Sequence, residues 1–179
     1  MSDAQQAYDR MVRPLEDRMI RSIWRIVRHP DDAEDAMQEA LLTIWKRWDR
    51  LTKHPRPEAL MLRICINAAY DVSRRRTRQR RAVELSGAAP DPPDSSGSPP
   101  QRMIGAERHA EILRAIHRLS RKQAVATLMR VVQGDSYEEI ADVLGCTEAT
   151  VRKHVARGRR RLRVALAHLA PTSTERGSP

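Results

Sequence analysis

The sequence predicts an all-α protein of two small helical domains joined by a flexible linker. Apolar residues recur every three or four positions in both halves of the chain, and no segment alternates as a β-strand would. Between the halves, residues 82–100 are rich in proline, serine and glycine and cannot bury a core. We therefore expect a first domain at 1–81, a linker at 82–105, a second domain at 106–170 and a disordered tail at 171–179.

The composition points to a nucleic-acid partner. The 179 residues suit one ordinary domain or two small ones, and 33 Lys and Arg against 23 Asp and Glu give a net charge of +10. Such an excess of positive charge favours a polyanionic partner. Cys65 and Cys146 lie far apart without nearby ligand partners, so we expect no disulfide framework, no zinc site and a reducing cytoplasm. We expect neither a secretion signal nor a membrane span.

Three helices are predicted to share the N-terminal core. The first covers about residues 4–28, the second begins at Asp31, and the third covers about residues 57–76, with Pro57 in its first turn. We expect the tryptophans of the second helix to lie in the core rather than to stack on bases. The residues expected to face inward are Met11, Leu15, Met19, Ile23, Ile26, Ala33, Met37, Leu41, Ile44, Trp45, Trp48, Met61, Ile64, Cys65, Ala68 and Val72.

The second half predicts a four-helix domain that contains a helix-turn-helix. Two apolar helices end at Gly134, and Ser136 with Glu139 forms a capping box that begins a third. Gly145 ends this short helix, and a longer basic helix begins after Thr147. A short helix, a tight turn and a basic helix in succession are typical of a helix-turn-helix.

The last helix carries a ridge of arginines without an acid, at Arg157, Arg159–Arg161 and Arg163. Such a ridge favours salt-dependent contacts with DNA phosphates. A plain helical hairpin with a solvated polar face is the alternative interpretation. Val151 and Gly158 fall on the inward side of this helix, and Gly158 is expected to permit close packing.

The N-terminal half carries charge runs of both signs. A basic run at 74–81 ends the third helix and gives this half a polyanion-binding surface of its own. The second helix begins instead with five acids and no base within 31–39. One or two acids would complement the helix dipole, but five exceed that need, so we expect this acidic start to face a protein partner.

Together these pieces resemble the small bacterial sigma factors of the extracytoplasmic-function (ECF) kind. The resemblance covers nearly the whole chain, and the order of its motifs is more specific than any one of them. The second helix resembles the polymerase-binding helix, the third resembles the minus-ten helix, and the second half resembles the minus-thirty-five domain. The matching runs are Asp32–Trp45, Arg63–Asn67 with Asp71 and Arg74–Arg75, Leu119–Gln123, Ser136–Gly145 and Thr150–Arg152.

The resemblance implies three sets of site residues. Contacts with the clamp of core RNA polymerase are implied for Asp35, Gln38 and Glu39. Contacts with the melted minus-ten strand are implied for Lys53, His54, Arg56, Arg63, Asn67, Asp71, Arg74 and Arg75. Contacts with the minus-thirty-five element are implied for Thr147, Glu148, Thr150, Arg152, Lys153, His154, Arg157 and Arg159.

The resemblance also implies the partners: core RNA polymerase, promoter DNA and, as often in the family, an anti-sigma factor. In such proteins the linker passes through the RNA path of the polymerase, and Glu84, Asp91 and Asp94 suit that role by their charge. A passive tether explains the linker equally well.

The main alternative is a freestanding helix-turn-helix regulator with an N-terminal dimerisation or ligand domain. An enzyme is not expected, because the sequence has no phosphate-cradling glycine loop and no nucleophile motif. No cofactor and no metal are expected. The six histidines are dispersed, at His29, His54, His109, His117, His154 and His168.

Overall fold

The computed structural model describes residues 3–86 and 100–169. These residues form helices and contain no β-strand, which confirms the predicted all-α class. The predicted tail and most of the predicted linker lie outside them. The α-helices are α1 (Asp3–Met11), α2 (Glu16–Val27), α3 (Pro30–Lys46), α4 (Trp48–Thr52), α5 (Pro57–Leu85), α6 (Pro100–His117), α7 (Arg121–Leu128), α8 (Tyr137–Leu144) and α9 (Glu148–Ala165).

The predicted first helix is broken near its middle. A 3₁₀ turn at Arg13–Leu15 separates α1 from α2, because Pro14 has no backbone N–H to donate within a continuous helix. The inward residues are nevertheless those predicted, since Leu15 and Met19 lie in the core. The prediction of one continuous helix was therefore wrong, while its buried side was correct.

Helix α3 turns its small residues towards α5. Ala36 and Ala40 are fully buried, and their short side chains let the two helices approach closely. Trp45 was predicted to lie in the core, and this was wrong, because its side chain is 55% exposed. It lies one position beyond the buried Ile44 and packs its ring against Trp48, with 6.1 Å between centroids. Trp48 itself packs against the core as expected.

Helix α5 is buried on more than the predicted side. The expected inward residues, from Met61 to Val72, are all buried. Leu62, Ile66 and Tyr70 are buried as well, since α7 and α8 also pack against this helix. The helix continues to Leu85, so helical structure extends into the first residues of the predicted linker.

Helices α8 and α9 begin where the sequence predicts, whereas α6 begins at Pro100, within the predicted linker. The Ser136 side chain accepts a hydrogen bond from the backbone N–H of Glu139 at 3.1 Å, and the Glu139 carboxylate accepts one from Ser136 N–H at 2.8 Å. Gly145 has a left-handed φ of 64°, and the Thr147 hydroxyl caps α9 by accepting from Thr150 N–H at 3.3 Å. The predicted capping box and helix-turn-helix geometry are both present.

The two helical domains pack against each other across one seam. Their buried apolar residues form a single contiguous cluster. Polar contacts border it: His109 Nε2 lies 2.8 Å from the Ile26 carbonyl, and His117 Nε2 lies 2.9 Å from Ser73 Oγ. The periodicity of each half predicts its own core and gave no indication of this seam.

Asp135 lies near the seam and is only 8% exposed. Its Oδ2 atom is buried, with no hydrogen-bond partner in the described parts of the chain. Burial raises the pKa of this carboxyl from 3.8 to about 6, and Glu139 adds to the rise, while Arg18 and Arg130 oppose it. Between the ordinary pKa of an aspartate and this raised value, the Asp135 carboxyl is therefore protonated in the folded state but ionised in the unfolded chain.

Replacing Asp135 with asparagine should stabilise the protein at pH 7.5 and give little benefit at about pH 4. Because the pKa of Asp135 is raised in the folded state, this carboxyl contributes its full stability at a pH below the pKa of the unfolded chain. The contribution is lost as the pH rises through about 6. The advantage of Asp135→Asn should reach about 1–3 kcal/mol at pH 7.5, measured by urea unfolding. The same exchange at the exposed Asp17 is the control; an advantage independent of pH would contradict the assignment.

Candidate DNA and protein interfaces

Helix α9 presents most of the predicted minus-thirty-five residues to solvent. Val151, Val155 and Gly158 are buried against the other C-terminal helices, and this fixes which side of α9 points outwards. Thr150 and His154 are partly buried. The exposed members of the set are Thr147, Glu148, Arg152, Lys153, Arg157 and Arg159.

A cationic groove lies beside this exposed side. Its volume is about 350 Å³, and its lining includes four arginines of α9 together with Tyr137 of α8. Arg152 stacks over the Tyr137 ring at 4.4 Å and Arg130 does so at 5.0 Å. Arg152 also pairs with Glu148 at 3.0 Å. Tyr137 therefore positions Arg152 through a contact between α8 and α9 that the helical spacing of neither helix indicates.

Four residues of the predicted minus-ten set line one strip of the N-terminal domain. Arg63, Asn67 and Asp71 are spaced one helical turn apart on α5, and Arg56 lies just before this helix. We refer to Arg56, Arg63, Asn67 and Asp71 as the α5 strip. Burial lowers the pKa of the Arg63 guanidinium, with Arg47 adding to the effect.

The remaining minus-ten residues lie around this strip. Lys53 is exposed, while His54 Nδ1 accepts a hydrogen bond from Arg56 N–H at 3.1 Å and so orders the loop before α5. Arg74 is exposed and continues along the side of α5 that carries Asp71. Arg75 points towards α3 and pairs with Glu39. The structure therefore brings together most of the set and directs Arg75 elsewhere.

The acidic start of α3 is partly neutralised within the chain. Asp32 pairs with Arg76 at 2.6 Å, and Glu39 pairs with Arg75. Asp35 and Gln38 are exposed. The predicted acidic surface is consequently smaller than the sequence indicates, because the basic end of α5 packs beside it.

Two large apolar side chains extend this exposed surface along α3. Leu42 is 59% exposed and Trp45 is 55% exposed. Together with Asp35 and Gln38 they repeat every three or four positions, so all four lie on one side of the helix, which we call the α3 face. A charged and aromatic surface of this kind is typical of a protein interface. The spacing from Asp35 could have revealed Leu42.

The described residues offer neither a metal-binding cluster nor a membrane-spanning helix. Among them, no group of three or more His, Cys, Asp or Glu side chains could hold a metal ion. No helix in the described ranges is both long and apolar enough to cross a membrane. Burial raises the pKa of the Cys65 thiol to about 12, which makes it a poor nucleophile.

Comparison with known proteins matches both halves of the chain. The family model for sigma-70 region 2 matches residues 11–80, and the model for sigma-70 region 4 matches residues 109–162. The chain is 30% identical over 163 residues to the "RNA polymerase sigma-E factor" of Streptomyces avermitilis, covering 89% of this chain and 84% of that protein.

Two further matches extend the comparison. The chain is 31% identical over 167 residues to the "ECF RNA polymerase sigma factor SigE" of Mycolicibacterium smegmatis, covering 92% of this chain and 63% of the relative. The sigma factor RpoE of Bartonella quintana, solved with the anti-sigma factor NepR, shares the fold with a TM-score of 0.52 and 24% identity, over 89% of this chain and 96% of that one. The chain belongs to the extracytoplasmic-function family of bacterial RNA polymerase sigma factors.

Proposed function

We propose that this chain is a promoter-specificity subunit that binds core RNA polymerase, recognises two promoter elements and opens the DNA between them. The observation that carries this proposal is the presence of both sigma-70 regions in one chain, in the order 2 then 4. The exposed basic side of α9 and the separate α5 strip supply two DNA-binding surfaces. The chain would act in the cytoplasm and without catalysis of its own.

The C-terminal domain would recognise the minus-thirty-five element. The exposed start of α9, with Arg152 and Lys153, is the part of a helix-turn-helix that reaches base edges in the major groove. Arg157 and Arg159 lie further along α9 and suit contacts with phosphates. The start of α9 would therefore recognise bases, while the residues further along the helix would neutralise the phosphate backbone.

The N-terminal domain would hold the melted minus-ten strand. Aromatic stacking contributes little here, since aromatics form 3% of the chain. Strand capture would instead depend on Arg63, Asn67 and the surrounding arginines. The cost of unstacking a base, a few kcal/mol, would be offset by these polar contacts.

The protein partners would bind the N-terminal domain at surfaces other than the α5 strip. The α3 face would bind the clamp of core polymerase, because it combines a carboxylate with exposed leucine and tryptophan side chains. An anti-sigma factor is a further proposed partner, as the Bartonella quintana RpoE was solved in complex with one. The linker role in the RNA path remains a prediction from the family resemblance.

Reconstitution with core polymerase tests this function directly. The full chain and core enzyme should co-elute as a complex at low ionic strength, and the complex should initiate transcription from a subset of promoters in a genomic library. The same chain without core enzyme should make no transcript. A chain that binds duplex DNA but neither binds the polymerase nor supports initiation would instead be a freestanding regulator.

Changing Arg157 and Arg159 to alanine should weaken DNA binding by the free chain almost equally for all sequences. Each lost phosphate contact should reduce the slope of log K against log salt by about 0.9. Arg152→Ala or Lys153→Ala should instead change the preferred sequence, as expected for base contacts. Fluorescence anisotropy with two different duplexes over a salt series measures both effects. If the two sets of variants had the same sequence preference, the division between phosphate contacts and base contacts would be contradicted.

A further inference from the structure

Arg152 is held in one orientation on the outer side of the helix-turn-helix. Its guanidinium carbon lies 4.4 Å from the centroid of the Tyr137 ring, and its Nη2 atom donates a hydrogen bond to the Glu148 carboxylate at 3.0 Å. The first contact comes from α8 and the second from the first turn of α9. Because a free arginine side chain samples many rotamers, two independent contacts restrict the plane of its guanidinium.

The Tyr137 ring is itself fixed on the domain. It is partly buried and packs against the hydrophobic core. Arg130 also lies over this ring, and its guanidinium donates hydrogen bonds to the carbonyl oxygens of Gly134 at 3.2 Å and Asp135 at 2.8 Å. Arg130 belongs to a π-helical turn that ends at Gly134, and such turns are frequent at functional sites. The ring is therefore a rigid support for Arg152.

The guanidinium of Arg152 remains available to DNA. The side chain is 60% exposed, and it lies near the start of α9, in the part of a recognition helix that reaches base edges. The hydrogen bond to Glu148 engages Nη2 and leaves further N–H donors of the guanidinium for a base. In the major groove, guanine presents the O6 and N7 acceptors side by side, and no other base presents such a pair.

A contact with a phosphate is the alternative role for Arg152, and the neighbouring acid opposes it. The Glu148 carboxylate beside the guanidinium would repel a phosphate and weaken non-specific attraction to the DNA backbone. The groove beside Tyr137 is lined by further arginines of α9, and its lining in the described part of the chain contains no carboxylate. Those arginines suit phosphates better, which leaves Arg152 for a base.

We propose that Tyr137 is a specificity-determining residue, which acts by holding the Arg152 guanidinium in the plane of one guanine of the minus-thirty-five element. Arg152 contacts O6 and N7 of that guanine, and Tyr137 acts as a positioning residue. A guanidinium fixed in advance loses less entropy on binding, and a wrong base leaves its donors unpaired, so Tyr137 increases discrimination more than affinity. This inference rests on the proposed function, because it concerns the same DNA-reading side of α9.

Replacement of single guanines by 7-deazaguanine tests this contact in the holoenzyme, the complex of the full chain with core polymerase. The analogue lacks the N7 acceptor but pairs normally with cytosine. It is placed in turn at each guanine of the minus-thirty-five element, in a promoter taken from the genomic library, and binding of the duplex is measured at low temperature. Wild-type holoenzyme should lose affinity about fivefold at one guanine, and this penalty should be absent in Arg152→Ala.

Two substitutions of Tyr137 separate positioning from packing. Tyr137→Leu keeps an apolar side chain against the core but removes the aromatic ring, and should abolish most of the penalty at that guanine. Tyr137→Phe keeps the ring and should retain the penalty. The matched control is Tyr8→Leu, the same exchange in the N-terminal domain, which should also retain it. A merely structural role would lower stability in urea without changing the ratio of affinities for the two DNAs.

The outcomes separate this inference from the proposed function. If Tyr137→Leu keeps the full penalty, or if Tyr8→Leu loses it equally, Tyr137 is not the positioning residue. If no guanine of the element gives a penalty that depends on Arg152, the guanine contact is wrong. In each of these cases the sigma activity stands, provided that wild-type holoenzyme initiates transcription. If wild type forms no active holoenzyme, the proposed function is wrong and this inference is overturned with it.

Discussion

Replacing Asp35 with lysine and Trp45 with alanine should weaken binding to core RNA polymerase by about a hundredfold or more, or about 2.7 kcal/mol. Both side chains lie on the exposed α3 face, and Trp45 is 55% exposed. Buried tryptophans at protein interfaces commonly contribute 2 kcal/mol or more, and reversal of a neighbouring charge adds repulsion from a basic partner. Competition against a labelled sigma factor measures the loss.

The α2 helix provides the matched control for this variant. Asp17 and the exposed Trp24 are the same two residue types on another helix, seven positions apart. Asp17→Lys/Trp24→Ala should leave polymerase affinity nearly unchanged, and neither double variant should alter binding of duplex DNA by the free chain. Equal losses in the two variants would show that the α3 face has no special part in binding. We expect Glu39→Lys to act partly through Arg75, its partner in the structure.

Replacing Gly158 with valine should lower the free energy of unfolding by about 3 kcal/mol and weaken binding to the minus-thirty-five element. A Cβ at this position would lie 2.3 Å from Thr127 Oγ1, and the stiff threonine side chain cannot easily move away. The steric conflict would push α9 away from α7. Urea unfolding measures the loss, and anisotropy with duplex DNA measures the displacement of α9.

Thr127 provides a specific rescue for the smaller change Gly158→Ala. Alanine favours the helix by up to about 1 kcal/mol, but the contact with Thr127 should make the variant less stable than wild type. The Thr127 hydroxyl is buried, with no hydrogen-bond partner among the described residues, so Thr127→Ala alone should cost little. Adding it to Gly158→Ala should restore most of the stability. An increase in stability from Gly158→Ala alone would contradict the close packing.

Local interactions explain which parts of the fold were predictable. The capping box of Ser136 and Glu139 and the left-handed Gly145 each depend on residues within one turn, so short stretches of sequence suffice to identify them. Pro14 illustrates the limit of periodicity. The apolar spacing continued across it and predicted the buried side correctly, but the missing N–H divided the helix.

The candidate sites were predictable to different degrees. The exposed side of α9 followed from the buried Val151 and Val155, which fix the orientation of the helix. The sequence placed Trp45 in the core because a large apolar residue at helical spacing usually lies there. Ala36 and Ala40 of the same helix are buried instead, and this depends on how α3 packs against α5.

The sequence by itself determined the all-α class, the caps of α8 and α9, the basic ridge of α9 and the resemblance that identifies the family. Only the tertiary structure showed that Arg56 contacts Asp142, 86 positions away, and that Arg121 contacts Asp71. The physical reason is one of range. Helix formation and capping are decided by neighbours in the chain, whereas the seam depends on which of several charged surfaces meet when two domains pack.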